Sequence, residues 1–318
     1  MTGELTPAVA GYLAHKRALG RKYKSEEASL RLLQAFADEH AVVSLDQFDP
    51  VLLETFFASR PRPRPRSFNN LVSIVGCFLE WTVTQEMLTD SPRRIARRRQ
   101  SAATIPFIFD PCQARILLDA AVRLPDNSRA QGRGPTYHTV FALCYGLGLR
   151  AGEACGLRVG DVDTRRQLLV VRGGKFGKTR FVPHGPRIGG LLAAQLGRAG
   201  GSADDDPLFR FGRTNRCLHP GTASQVFHQL MIKLDFPVPD GVCAPHLHSL
   251  RHSFAVGCLL RWYRQGVDPG ERLLRLSTFM GHVSPASTAV YLTITPTLLE
   301  EAGRRFEAYA PTKEGSGD

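Results

Sequence analysis

Between Ala244 and Leu292 the chain gathers side chains suited to handling phosphate: His246, His248, Arg251 and His252 in one run, His282 after Gly281, and Tyr291 beyond Ser287 and Thr288. Imidazoles exchange protons near neutrality, guanidinium forks match phosphate oxygens, and a phenol can be a nucleophile. A metal site is the first reading, because His248 and His252 stand four apart with His246 and His282 nearby. However, Ser249 occupies the position where the metalloprotease pattern needs glutamate, and no acidic residue lies between Asp240 and Asp268. Asp204, Asp205 and Asp206 sit in a Gly-Ser loop before Pro207 and read as a solvated turn, so no metal is expected. The stretch Gly173 to Thr179 resembles a nucleotide loop only superficially. Arg172 replaces its first glycine, and a strand-like Arg180 to Pro183 follows instead of a phosphate-cradling helix.

A metal-free phosphate site uses more of these residues. A phosphodiester under attack gains negative charge, which two arginines and histidine donors can hold. A tyrosine can carry the phosphoryl group covalently, and a lysine can protonate the departing hydroxyl. Arg150, Lys175, His248, Arg251, His282 and Tyr291 supply those groups.

The elements that must position them follow from periodicity and punctuation. Residues 6–20 and 25–39 read as helices, with Leu30, Leu32, Leu33 and Phe36 for packing. Asp49-Pro50 reads as an N-cap followed by proline at the first helical position, opening a helix to Ser59. The Arg-Pro run from Arg60 to Arg66 reads as an extended connector, with a helix from Asn69 to Met87 behind it. Asp110-Pro111 opens a further helix to Leu124. Tyr137 to Leu147 is apolar on several sides and reads as a buried helix, with Arg150 emerging after Gly148 and a short helix from Ala151 to Gly156. Leu168–Arg172 and Thr179–Pro183 read as a hairpin. Helices are expected over 188–198, 222–234, 252–263 and 296–309. This is a mainly α chain with a small antiparallel hairpin or sheet. It divides into a four-helix module over 1–91, a basic linker over 92–108 and a mixed, mostly helical domain over 109–318.

Charge points to an acidic partner. The net charge is +12, with 15 Lys and Arg against 11 Asp and Glu before Pro106 and 26 against 18 after it. Both halves are thus basic, as suits a protein gripping a long polyanion with two modules. Lys22, Lys24, Arg62, Arg64, Arg94, Arg97 and Arg98 are candidate backbone contacts, although such runs also occur as solvated surface. Seven cysteines without a Cys-x-x-Cys pair argue against a disulfide framework or a four-cysteine zinc site. No window is apolar enough to span a membrane, and residues 1–16 lack an export signal, so a cytoplasmic protein is expected.

Taken in order, these residues resemble the tyrosine recombinases of the phage-integrase family over nearly all of residues 5–310. Arg150 follows a Gly-Leu turn and precedes Glu153, and Lys175 stands 25 residues later in the hairpin. His248 to His252 matches His-x-x-Arg-His, Gly281-His282 matches the Gly-His pair, and Tyr291 lies nine residues beyond His282. The resemblance implies that Arg150 and Arg251 clamp the scissile phosphate, with His248 and His282 donating hydrogen bonds or assisting proton transfer. Lys175 is then the general acid, Tyr291 the nucleophile, and Glu153 and His252 supporting residues. It also implies double-stranded DNA as partner, a homo- or hetero-tetramer on that DNA, possible accessory recombinases, no cofactor and service to a mobile element. Pro245 precedes His246 instead of His248, and Thr293 replaces a frequent histidine, so His246 remains a rival to His248. Lys178 likewise rivals Lys175. A type IB topoisomerase and a non-catalytic DNA-binding protein are the alternative functions.

Overall fold

The computed structural model describes residues 4–92, 96–99, 105–173, 178–200, 203–211, 216–282, 284–294, 300 and 303–304, with backbone alone at 293 and 294. Contacts divide the chain into two compact units, Met1–Ala103 and Thr104–Asp318.

The first unit holds four α-helices among its described residues: α1 (Leu5–Ala18), α2 (Lys24–Glu39), α3 (Pro50–Ser59) and α4 (Pro65–Thr84). Their apolar faces meet in a core that includes Tyr12, Leu33, Phe36, Phe56, Val75 and Phe78. Each such side chain contributes about 1.5–3 kcal/mol when fully buried. Asp49 caps α3 by accepting from the Leu52 amide at 2.7 Å. The Arg-Pro run is not extended throughout. Helix α4 opens at Pro65, four residues before the expected Asn69, because proline at the first helical position forfeits only an amide that would be unpaired anyway.

The second unit is built around α6 (Arg133–Gly146), which packs against α5 (Pro111–Val122), α7 (Ala151–Cys155), α8 (Pro186–Ala199) and α10 (Leu247–Arg264). Val140, Phe141, Leu143 and Cys144 are buried on several sides of it, as an apolar helix without a polar stripe requires. A three-stranded antiparallel sheet runs in the order β1 (Val162–Asp163), β2 (Leu168–Val171), β3 (Arg180–Pro183). Its register pairs Leu169 with Val182 and Val171 with Arg180, and the two-residue β1 extends the expected hairpin. Helix α9 (Pro220–Leu234) closes the core from one side.

Two differences from the sequence reading bear on the site. Helix α10 opens at Leu247 instead of His252, because His246 serves as its N-cap with a reciprocal Ser249 contact. Helix α11 (Pro269–Met280) has no counterpart in the expected elements, although Asp268 caps it through the Gly270 amide at 2.8 Å. Two short helices, α12 (Ala286–Ala289) and α13 (Tyr291–Ile294), follow. The expected closing helix over 296–309 falls largely outside the described residues.

Candidate active site

The site is assembled on the C-terminal end of α11. Gly281 ends that helix in the left-handed region at φ +68, and the His282 amide turns back to donate to the Ser277 carbonyl at 2.9 Å. The last carbonyls therefore remain available, and three successive ones each accept from a different arginine. Arg180 Nε donates to Phe279 O at 2.9 Å, Arg251 Nη2 to Met280 O at 2.8 Å, and Arg150 Nη2 to Gly281 O at 2.9 Å. A helix C-terminus carries partial negative charge, so gathering cations there lowers their mutual repulsion. A Cβ on Gly281 would lie 2.7 Å from Arg180 Nη1, which adds a steric demand for glycine to the backbone one.

Glu153 supplies the remaining compensation. Its carboxylate accepts from Arg150 Nη1 at 2.6 Å and from the Arg150 amide at 3.0 Å, which caps α7. It also accepts from Arg180 Nη1 at 3.0 Å and Nη2 at 2.8 Å, and Arg251 Nη1 lies 4.0 Å away. Burial pushes the Glu153 carboxyl up, but the Arg180 and Arg150 bonds and charges prevail and hold it at about 2. Arg251 is almost wholly buried at 1% exposure and donates a short bond to Gly148 O. Burial and then Arg150 lower its guanidinium to about 10, which leaves it cationic at neutral pH.

Arg180 is the residue that sequence reasoning missed. Its place becomes legible once the faces of β3 are known. Val182 packs inward and Phe181 is 69% exposed, so Arg180 shares the inward face with Val182. A strand that exposes phenylalanine and turns arginine inward has inverted the usual pattern, which marks the arginine as having a buried partner.

The histidines and the tyrosine close the other side. With α10 starting at Leu247, His248, Arg251 and His252 lie three and four apart on one helical face. His246 is committed to the helix cap, its Nδ1 2.8 Å from Ser249 Oγ. His248 stands edge-on to His252 with centroids 4.6 Å apart, and its nitrogens meet no hydrogen-bond partner among the described residues. His252 Nδ1 lies 2.8 Å from Tyr291 Oη, and His282 Nδ1 lies 2.6 Å from Thr288 Oγ1. Tyr291 is buried at 4% exposure, its ring stacked at 6.5 Å on His282.

All three inner imidazoles are held neutral. For His248, burial and then Arg251, His246 and Arg150 lower it to about 4. Burial, Arg251 and Arg150 lower His282 to about 4. Burial, followed by His248, His246 and Arg251, lowers His252 to about 3. Burial pushes the Tyr291 phenol up against the opposing pull of Arg251 and Arg150, so it stays protonated near neutrality.

The structure thus brings together Arg150, Glu153, His248, Arg251, His252, His282 and Tyr291, and adds Arg180. Lys175 lies outside the described residues, and its rival Lys178 is exposed just before β3. The DNA candidates belong to the first unit. Lys22, Lys24 and Arg64 are exposed, Arg94 is outside the described residues, and Arg97 donates to Ser73 at 3.2 Å. Arg98 lies 3.9 Å over the Phe68 ring and donates to the Arg62 carbonyl at 2.8 Å, while Asn69 pairs with both its amide and its carbonyl at 2.8 Å. Arg62 is half-buried and reaches Ser67.

Comparison with known proteins decides what this arrangement belongs to. The model of the phage integrase family matches residues 114–297. A putative integrase/recombinase, y4rB, of Sinorhizobium fredii is 32% identical over 306 residues, covering 94% of this chain and 96% of its own length. The chain belongs to the phage integrase family of tyrosine recombinases. The tyrosine recombinase XerC of a Mycobacterium species (strain JLS) is 32% identical over 298 residues, covering 89% of this chain and 92% of its own. Among solved structures, the integrase of transposon Tn1549 in complex with transposon right end DNA superposes with a TM-score of 0.65 at 16% identity, covering 98% of this recombinase and all of that chain. A lambda integrase dimer bound to a core site gives 0.63 at 15% identity, covering 90% and 76%. These likenesses establish the fold of the recombinase as a mainly helical one with a small sheet.

Proposed function

We propose that this recombinase breaks and rejoins double-stranded DNA at a specific site through a covalent 3′-phosphotyrosyl intermediate on Tyr291. The observation that carries the reading is the convergence of Arg150 and Arg251 on the end of α11, with the Tyr291 hydroxyl held by a histidine on the same helix face as Arg251. In this reading the Tyr291 oxygen attacks the scissile phosphorus and the bond to the 5′ oxygen breaks. Lys175 protonates the departing 5′ hydroxyl. Arg150 and Arg251 hold the charge that develops on the non-bridging oxygens, and His248 and His282 add hydrogen bonds.

One phosphodiester is exchanged for another, so the bond energy is kept for rejoining and no high-energy cofactor is required. Two guanidiniums supply the charge neutralisation that a metal would otherwise provide. The basic residues Lys22, Lys24, Arg62, Arg64, Arg94, Arg97 and Arg98 track the DNA backbone. The protein works in the cytoplasm as a tetramer of like or related subunits on DNA, with accessory recombinases as further partners. It serves integration or transposition of a mobile element, a role supported by the integrase/recombinase relatives in Sinorhizobium fredii.

The test is covalent capture. The protein is incubated in chelator with nicked duplexes carrying a randomised segment, and DNA that stays attached after denaturation is sequenced. The expected result is an enriched sequence captured by the wild type and lost with Tyr291→Phe. No capture, or equal capture by the variant, refutes the reading. Relaxation of supercoiled plasmid without site preference would instead indicate topoisomerase activity.

A further inference from the structure

We infer that His252 is a catalytic residue of the strand-transfer reaction, the group that holds the Tyr291 hydroxyl and receives its proton during attack. This rests on the reading of Tyr291 as nucleophile. The hydroxyl lies 2.8 Å from His252 Nδ1, at hydrogen-bond distance. The neighbouring His282 presents its ring in stacked geometry, with interplanar angle 21°, and spends its own Nδ1 on Thr288. His248 faces His252 edge-on, at an interplanar angle of 87°.

The surroundings suit this role. Tyr291 is buried and remains a phenol, so attack requires its proton to leave. The groups facing His252 are His246, His248 and Arg251 from its own helix, His282 from the end of α11, and Tyr291 from α13. Burial and these neighbours keep the imidazole neutral, with a nitrogen lone pair free to accept. A phosphate seated on Arg150 and Arg251 brings negative charge that offsets the cationic field. The proton affinity of His252 then rises as the reaction begins.

The step balances. The Tyr291 O–H bond breaks and the proton moves to His252 Nδ1, the oxygen–phosphorus bond forms, and the bond to the 5′ oxygen breaks as that oxygen takes a proton from the general acid. On rejoining, the imidazolium returns its proton to the phenol. His248 and His246, both exposed, have ring centroids 4.6 Å and 6.2 Å from that of His252.

The test uses the duplex captured by the wild type, made with an ordinary 5′ oxygen or with a bridging sulfur, which departs as a thiolate without needing a proton. His252→Phe is expected to slow adduct formation by about 10²–10⁴-fold on both substrates. Lys175→Ala slows only the oxygen substrate. His252→Asn keeps a hydrogen-bonding atom near the phenol but cannot hold a proton. Its rate on the sulfur substrate is expected to rise about tenfold per pH unit between about pH 7 and about pH 9, where the wild type is nearly flat. A His252→Phe rate within about threefold of wild type refutes the assignment, as does a wild-type pH profile in His252→Asn. A defect in His252→Phe that the sulfur substrate repairs also refutes it, because that places His252 on the leaving-group side. Wild-type protein that forms no adduct, or Tyr291→Phe that still forms one, overturns the nucleophile reading itself and is distinguishable from these outcomes.

Discussion

Replacing Glu153 by glutamine tests whether the arginine cluster depends on one carboxylate. The variant keeps the side chain's shape but removes the charge that faces Arg150, Arg180 and Arg251, and it turns an amide N–H toward a guanidinium. Two routes give the magnitude. Lowering the carboxyl from 4.5 to about 2 corresponds to about 3 kcal/mol of stabilisation of the charged form. Removing one partner of a buried ion pair costs about 3–5 kcal/mol by analogy with measured cases. Glu153 has a side-chain exposure of 6%, so solvent screening reduces this little. At about 2–4 °C per kcal/mol for a unit of this size, Glu153→Gln should lower the melting temperature of the second unit by about 6–20 °C. Calorimetry at neutral pH and low salt measures it. The contribution of the carboxylate is present above its ordinary 4.5 and lost as pH falls toward 2, so wild type and variant should converge in strong acid. A melting temperature within about 2 °C of wild type would refute the claim that Glu153 offsets the three arginines.

Three further outcomes are expected. Gly281→Ala combines a positive φ with a Cβ 2.7 Å from Arg180 Nη1, so it should destabilise by about 1–3 kcal/mol and slow adduct formation, read by urea denaturation and by capture. His248, His252 and His282 titrate near 3–4 when folded and near 6.5 when unfolded, so the unfolded chain binds more protons in between. The urea midpoint should therefore fall as pH drops below about 6.5, and a midpoint constant between about pH 8 and about pH 5 would contradict the neutral assignment. Asn69→Ala removes both hydrogen bonds to the Arg98 backbone and should speed protease cleavage at Arg97 to Arg99, with an unchanged cleavage rate as the contrary result.

The amino-acid sequence by itself showed which candidate groups are present and in what order. Residue types suited to phosphate, together with the order and spacing of the family the chain resembles, single out Arg150, Glu153, Arg251, His282 and Tyr291, and turns at Gly148 and Gly281 set the backbone beside them. The cap signals at Asp49-Pro50 and Asp110-Pro111 likewise located helix starts, since an N-cap carboxylate and a following proline act within one turn. The same signals at Asp268-Pro269 and Gly281 bracket α11, yet its charged, amphipathic stretch has no long apolar run to draw attention to it. Helix α10 starts earlier than its periodicity suggests, because His246 is an uncommon cap and the histidine run masks the helical period.

Tertiary structure alone decided what neutralises the site. Arg180 is 27 residues from Glu153 and 99 from Phe279, and it joins them only when β3 lies beside the end of α11. The hydrogen bond of Tyr291 spans 39 residues to His252, which no local spacing rule anticipates. Such pairings depend on which helix faces meet, and that is set by packing of the whole unit. Sequence sets the order of the candidate groups and their local backbone, whereas burial and the approach of distant segments set their charge states and partners.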